Sequence, residues 1–155
     1  MLDAFKEYII LYFTSMIPWI EQKAGIVLIA NGSNFWLVFL TTSLAALTIV
    51  PLVILFTDFL IKGLKKIKKI ESKVTKWEEK ILMQKDKIQK YELLGLFVVV
   101  VCPGTGMWTA AMLASLLRMD FFKSVFLIVF ASMCVGLFYF ASASGIFEII
   151  DIFLF

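Results

Sequence analysis

Residues 93–117 read LLGLFVVVVCPGTGMWTAAMLASLL, an apolar block that is interrupted at its middle. The interruption, Cys102 to Gly106, contains a proline and two glycines. Proline lacks the backbone donor that a helix requires, and glycine weakens helix interiors. In lipid, the backbone groups freed by such a break must be covered by protein or water. The block therefore predicts a re-entrant hairpin, two half-helices that meet at a polar tip at Pro103.

A second block of this kind stands near the N-terminus. Residues 8–30 read YIILYFTSMIPWIEQKAGIVLIA, with Pro18 at the middle and Glu21 and Lys23 shortly after it. One carboxylate or ammonium at the centre of a membrane helix costs about 2.5–3.5 kcal/mol. Each arm, roughly 10–13 residues, covers about half of the hydrocarbon core. We expect a re-entrant hairpin with its tip near Pro18; a kinked helix is the alternative.

The composition indicates an integral membrane protein. Of the 155 residues, 61% are hydrophobic, against about half in soluble domains. The chain has no histidine, which removes the commonest metal ligand and the usual proton shuttle near neutral pH. We therefore expect no metal, no cofactor and no enzymatic activity.

Each broken block is followed by a turn and an uninterrupted apolar segment. Residues 35–61 and residues 121–144 are both long enough to cross a bilayer. Asp58, near the end of the first segment, is expected at the level of the lipid headgroups. A short apolar tail, residues 145–155, ends the chain.

Residues 62–92 differ from the rest, with eleven lysines and five acidic residues. Apolar residues recur within this segment at a spacing of three to four, which predicts a long amphipathic helix on the cytoplasmic side. It packs on itself or on a second subunit, or it attracts anionic lipid headgroups. Nucleic acid is not an expected partner, because the bilayer tethers both ends of the segment.

The common plan of the two ends predicts an internal repeat. Residues 1–61 form the first repeat, 62–92 the cytoplasmic insert and 93–155 the second repeat. If both broken blocks are hairpins, Arg118 and Lys123 join the lysines on the cytoplasmic side, as the distribution of basic residues in membrane proteins favours. The fold class is then an all-α integral membrane protein of the plasma membrane, with two inverted repeats of a re-entrant helical hairpin plus a transmembrane helix.

Two motifs resemble those of the small multidrug export family, which is similar to the DedA (SNARE-associated, VTT-domain) superfamily. IPWIEQKAGIV, residues 17–27, is similar to the family's P-x-x-E-x-R-x-G-I-P, and PGTGMWTAA, residues 103–111, to its P-x-P-G-T-G-x-W-T-G. Lys23 replaces the usual arginine and so lacks its bidentate geometry. Val27 and Val101 stand where the family has prolines, and Ala110 replaces a glycine. The resemblance implies two facing re-entrant hairpins and, for the superfamily, carriage of polyprenyl phosphate or another lipid, with ion coupling.

The residues at the tips suggest how a substrate is bound. Half-helix N-termini offer free backbone donors, and glycines let a phosphate approach them. The expected substrate-binding residues are Lys23, Gly104, Thr105, Gly106, Thr109 and Arg118. Glu21 is the expected proton-coupling residue, although pairing with Lys23 or with backbone donors would only close the tip. Trp19 and Trp108 are expected to pack rather than to bind.

Three functions follow from these features. The first is a carrier of a lipid-linked phosphate or another anionic amphiphile, coupled to protons through Glu21. The second is a proton-coupled exporter of cationic drugs. The third is a lipid scramblase or an assembly factor that docks through residues 62–92. Membrane lipids are the expected partners, and a homodimer would help to cover the tips.

Overall fold

The computed structural model of the chain describes residues 2–65, 75–76, 92–102 and 105–154. All regular secondary structure in these ranges is helical, which confirms the all-α class. In chain order the elements are α1 Leu2–Ser15, a 3-10 helix Glu21–Lys23, α2 Ala24–Ala30, α3 Phe35–Lys65, α4 Glu92–Val101, α5 Gly106–Leu116 and α6 Phe121–Leu154.

Two of these helices are long and apolar enough to cross a bilayer. The stretches of sufficient length and hydropathy are Phe35–Gly63 in α3 and Phe121–Ala143 in α6. Both lie where the sequence predicts membrane helices. Helix α6 continues without interruption through residues 145–154, for which the sequence predicted a separate tail.

The long helices expose many of their large apolar side chains and bury several small and polar ones. On α3 the exposed residues include Leu37, Leu40, Leu44 and Leu47, whereas the buried ones include Val38, Thr42, Ala45 and Ala46. On α6 the exposed residues include Phe122, Phe126 and Phe130, and the buried ones include Ser124, Ala131 and Ser132. A soluble protein does the reverse. This distribution suits a lipid environment, where small residues let helices approach closely.

The chain divides into two compact units. The terminal unit comprises Met1–Ile49 and Val129–Phe155, and the central unit comprises Val50–Ile128. Each unit therefore holds one broken block together with one part of each long helix. The predicted division into repeats at 1–61 and 93–155 stays a prediction.

Each broken block consists of two short helices that pack against each other, α1 with α2 and α4 with α5. Their lengths are 14, 7, 10 and 11 residues. At 1.5 Å per residue these helices extend about 21, 10, 15 and 16 Å, and none of them reaches the ~30 Å of a hydrocarbon core. Helix α1 begins at Leu2, six residues before the predicted start of its block.

A tight junction connects α2 to α3. Gly32 has a left-handed backbone (φ 79°), and its N–H donates to the Ile29 carbonyl at 3.0 Å. The Ser33 N–H donates to the Leu28 carbonyl at 3.0 Å, which completes a Schellman motif. Asn34 then caps α3, because its Oδ1 accepts a hydrogen bond from the Trp36 N–H at 2.9 Å.

The junction between α5 and α6 has the same construction. Arg118 takes the left-handed position (φ 51°) and its N–H donates to the Ser115 carbonyl, while the Met119 N–H donates to the Ala114 carbonyl, both at 3.0 Å. Asp120 caps α6 by accepting from the Lys123 N–H at 2.9 Å. The capping residues Asn34 and Asp120 are 86 residues apart, and so are the first residues of α3 and α6. Two separate stretches of the chain therefore each form the same motif.

A small apolar core holds the terminal unit together. It comprises Leu11, Val38, Phe39 and Phe140, all buried. Gly25 of α2 lies against this core: a Cβ atom added there would come within 2.6 Å of Val38 Cγ1 and of Phe140 Cζ. The glycine therefore permits the close approach of α2. A hydrogen bond of 2.8 Å between Tyr12 Oη and Thr48 Oγ1 joins α1 to α3.

The predicted lysine-rich amphipathic helix, residues 62–92, lies largely outside the described residues. Within it the structure describes the end of α3 up to Lys65, the helical pair Thr75–Lys76, and Glu92 at the start of α4.

We expect Gly25→Ala to lower the free energy of unfolding by about 1–3 kcal/mol, because the new methyl group overlaps two core side chains. Gly95→Ala is the matched control, since a Cβ at this helical position meets nothing within 4 Å. The control should leave stability unchanged or raise it by up to about 1 kcal/mol. Thermal unfolding in detergent measures both; equal effects would contradict the close packing of α2.

Asn34→Ala and Asp120→Ala should each cost about 1 kcal/mol, because each removes the side chain that caps a long helix. Asn31→Ala provides the comparison, since Asn31 lies in the same turn, is exposed, and only its backbone takes part in ending α2. The same unfolding assay applies. If either cap variant is as stable as Asn31→Ala, its capping bond does not contribute.

Candidate functional site

The first break lies between α1 and α2 and has a strained backbone. Two residues other than glycine have positive φ there, Trp19 at 70° and Glu21 at 45°. Such conformations cost on the order of 1–3 kcal/mol each and persist only where the surroundings enforce them. They concentrate at functional sites, so the break is the first candidate site.

The side chains at this break differ widely in their exposure. Trp19 is 76% exposed, so it does not pack inside the chain as expected. Lys23 is also exposed, and its Nζ donates to the Trp19 carbonyl at 3.4 Å across the break. Glu21 is half-buried, and its N–H donates to the Ile17 carbonyl at 3.3 Å. Gln22, which lies between the two charged residues in the chain, is buried, with 4% of its surface exposed.

Gln22 is a residue that sequence reasoning passed over. Its side chain lies against Gly136 of α6, where an added Cβ would be 3.0 Å from Gln22 Oε1. Gln22 and Gly25 are three residues apart, and both are buried against the same segment of α6, at Gly136 and Phe140. The helical spacing of Gln22 and Gly25 is the signal that could have identified this inward face.

The second break lies between α4 and α5. Pro103 and Gly104, its predicted tip and one of its predicted binding residues, lie outside the described residues. Thr105 Oγ1 donates to the Val99 carbonyl and, at 3.0 Å, to the Cys102 carbonyl. Thr109 Oγ1 donates to the Thr105 carbonyl at 2.8 Å. These hydroxyls satisfy carbonyl groups at the break.

The remaining predicted binding residues of the central unit are not all together. Gly106 begins α5 with a left-handed backbone (φ 70°), close to Thr105 and Thr109. Arg118 lies beyond the other end of α5, about 18 Å along the helix from Gly106. It is exposed, and its backbone forms the junction to α6. Arg118 is therefore not part of the second break.

A partly buried polar contact joins α3 to α5 in the central unit. Ser115 Oγ, on a residue that is 5% exposed, donates to Asp58 Oδ1 at 2.5 Å. The sequence suggested only a headgroup-level carboxylate at Asp58, because the partner lies 57 residues away. Among the described residues, His, Cys, Asp and Glu side chains form no group of three that could hold a metal ion.

Ser115→Ala should lower the free energy of unfolding by about 1–3 kcal/mol, because it leaves the Asp58 carboxylate without this donor. Ser124→Ala is the control: its hydroxyl is also buried but has no hydrogen-bond partner among the described residues. A double-mutant cycle with Asp58→Ala, followed by unfolding in detergent, isolates the contact. Additive effects of the two substitutions would show that it contributes nothing.

Comparison with known protein families identifies one that matches most of the chain. A family model described as "Putative small multi-drug export protein" matches residues 21–138, which include Glu21, Gln22 and the whole second block. This is the family that the two motifs resemble. No curated protein and no solved structure matches the chain.

Proposed function

The chain belongs to the small multi-drug export family, and we propose that it exports amphipathic cations across the plasma membrane in exchange for protons bound at Glu21. The observation that carries this proposal is the position of Glu21: a half-buried carboxylate, on a strained backbone, at a break within an apolar block. Ionisable groups within membrane segments are functional by default, because their insertion is costly.

Exchange at one carboxylate needs only competition between two ligands. The ionised carboxylate attracts a cation, and protonation removes the charge and releases the cation. A proton that enters from one side and a drug that leaves from the other thus use the same group in turn. The site requires no second acidic residue for this cycle.

The contacts of the other predicted binding residues favour a cation over an anion. An anion needs hydrogen-bond donors, and the hydroxyl groups of Thr105 and Thr109 already donate to backbone carbonyls. At the first break, Gln22 has a buried amide oxygen without a partner among the described residues, and the neighbouring Glu21 carries a carboxylate. Both groups attract positive charge.

A carrier of a lipid-linked phosphate is the second candidate. One contact favours it: Thr105 directs its hydroxyl at carbonyls and makes no side-chain cap at the N-terminus of α5. The first N–H groups of that helix could then receive a phosphate. The relation to the DedA superfamily stays a prediction that supports this candidate. The scramblase or assembly-factor hypothesis depends on residues 62–92, most of which are outside the described residues.

For the membrane arrangement we propose that both broken blocks are re-entrant hairpins in inverted repeats. Their short helices, packed in pairs and joined to α3 and α6 by the same junction, support this arrangement. The exposed leucines and phenylalanines of the long helices face lipid or a second subunit, and we retain the homodimer as part of the proposal.

Glu21→Gln should abolish export driven by a proton gradient, because the amide cannot exchange a proton for a cation. Proteoliposomes loaded with tetraphenylphosphonium and given an inward proton gradient measure this; we expect at least a tenfold loss of rate. Glu7→Gln, at an exposed position of α1, is the control and should transport normally.

Two results would contradict the proposal. Export that is unchanged in Glu21→Gln would exclude this carboxylate as the exchange group. Transport of decyl phosphate, with none of tetraphenylphosphonium, by the unaltered protein would favour the second candidate instead.

A further inference from the structure

Gln22 has a buried amide oxygen that the described residues leave unused. The residue is 4% exposed, and its Oε1 accepts no hydrogen bond from any described residue. Leaving a buried acceptor unpaired costs about 1–3 kcal/mol, so native proteins hold few of them. A glutamine at this position therefore requires a reason beyond packing.

The backbone at the break turns this amide inward. Trp19 and Glu21 have positive φ angles, and in this conformation Trp19 and Lys23 are exposed whereas Gln22 is buried. Burying an amide oxygen without a hydrogen-bond partner is unfavourable in an apolar block. The strain thus maintains a buried acceptor.

Helix α6 makes room for the amide at one position. A Cβ at Gly136 would be 3.0 Å from Oε1 and 3.2 Å from Cδ of Gln22. Both distances are tighter than ordinary van der Waals contact, so a methyl group at this position would require the amide to shift by a few tenths of an ångström. The glycine at position 136 therefore leaves the space that the side chain of Gln22 occupies.

We propose that Gln22 Oε1 accepts a hydrogen bond from the protonated ammonium group of the exported compound, which deepens the proposed function and rests on it. Glu21, the neighbouring residue, supplies the charge, and Gln22 supplies an acceptor that a quaternary ammonium ion, which has no N–H, cannot use. The site then prefers primary, secondary and tertiary ammonium ions to quaternary ones. An amide oxygen in a water-poor site is a specific acceptor, because no solvent replaces the missing donor.

Two probes of equal chain length separate charge from hydrogen bonding. Dodecylammonium carries three N–H donors, whereas dodecyltrimethylammonium carries the same charge and none. Each competes with ethidium for the full-length protein in lipid nanodiscs, and empty nanodiscs correct for partition into lipid. A hydrogen bond to a charged group contributes about 1.5–3 kcal/mol, so the unaltered protein should prefer dodecylammonium about tenfold or more.

Gln22→Leu should reduce this preference to about one while both probes still compete. Gly136→Ala, which keeps Gln22 but displaces its amide, should reduce the preference several-fold, and it tests the proposal even if Gln22→Leu does not fold. Ser124→Ala, a buried hydroxyl of the central unit, is the control and should keep the full preference.

The outcomes distinguish a failure of the proposed hydrogen bond to Gln22 from a failure of the proposed export function. If Gln22→Leu and Gly136→Ala keep the preference of the unaltered protein, or if the unaltered protein has none, Gln22 is not the acceptor. The proposed function would survive that result as long as Glu21→Gln weakens the binding of both probes. If neither probe displaces ethidium from the unaltered protein, both proposals fail.

Discussion

A backbone group that leaves a helix in an apolar environment needs another partner, and this requirement shapes both breaks. At the second break, the hydroxyls of Thr105 and Thr109 take up carbonyl groups. At the first break, Lys23 donates to the Trp19 carbonyl and the 3-10 helix supplies the bonds that an α-helix would have made. These polar residues therefore form hydrogen bonds with backbone carbonyl groups that the helices leave unpaired.

The same constraint separates candidate ligands from structural groups. A hydroxyl that already donates to a carbonyl has no donor left for a substrate, as with Thr109. Gln22 is different, because its buried Oε1 accepts no hydrogen bond from any described residue and lies next to the strained backbone of Glu21. The proposed substrate site and its proposed preference for N–H donors both depend on this buried acceptor, which a strained backbone keeps in place.

The repeated junction shows how a small chain builds two similar parts. A left-handed residue ends the half-helix, and an Asn or Asp two residues later caps the long helix. Gly32 fills the left-handed position in the first copy and Arg118 in the second, so the backbone geometry is kept although the side chain differs. The backbone of Arg118 forms this junction, so the positive charge of its side chain does not by itself identify Arg118 as a binding residue.

The sequence by itself determined the membrane class, the two long helices, the breaks near Pro18 and in the second block, and the family. These follow from local chemistry, because apolar length, proline and glycine act within a few residues of themselves. Only the tertiary structure decided which side chains face inward. Gln22 against Gly136, and Ser115 against Asp58, join residues far apart in the chain, and no local pattern encodes a partner at that distance.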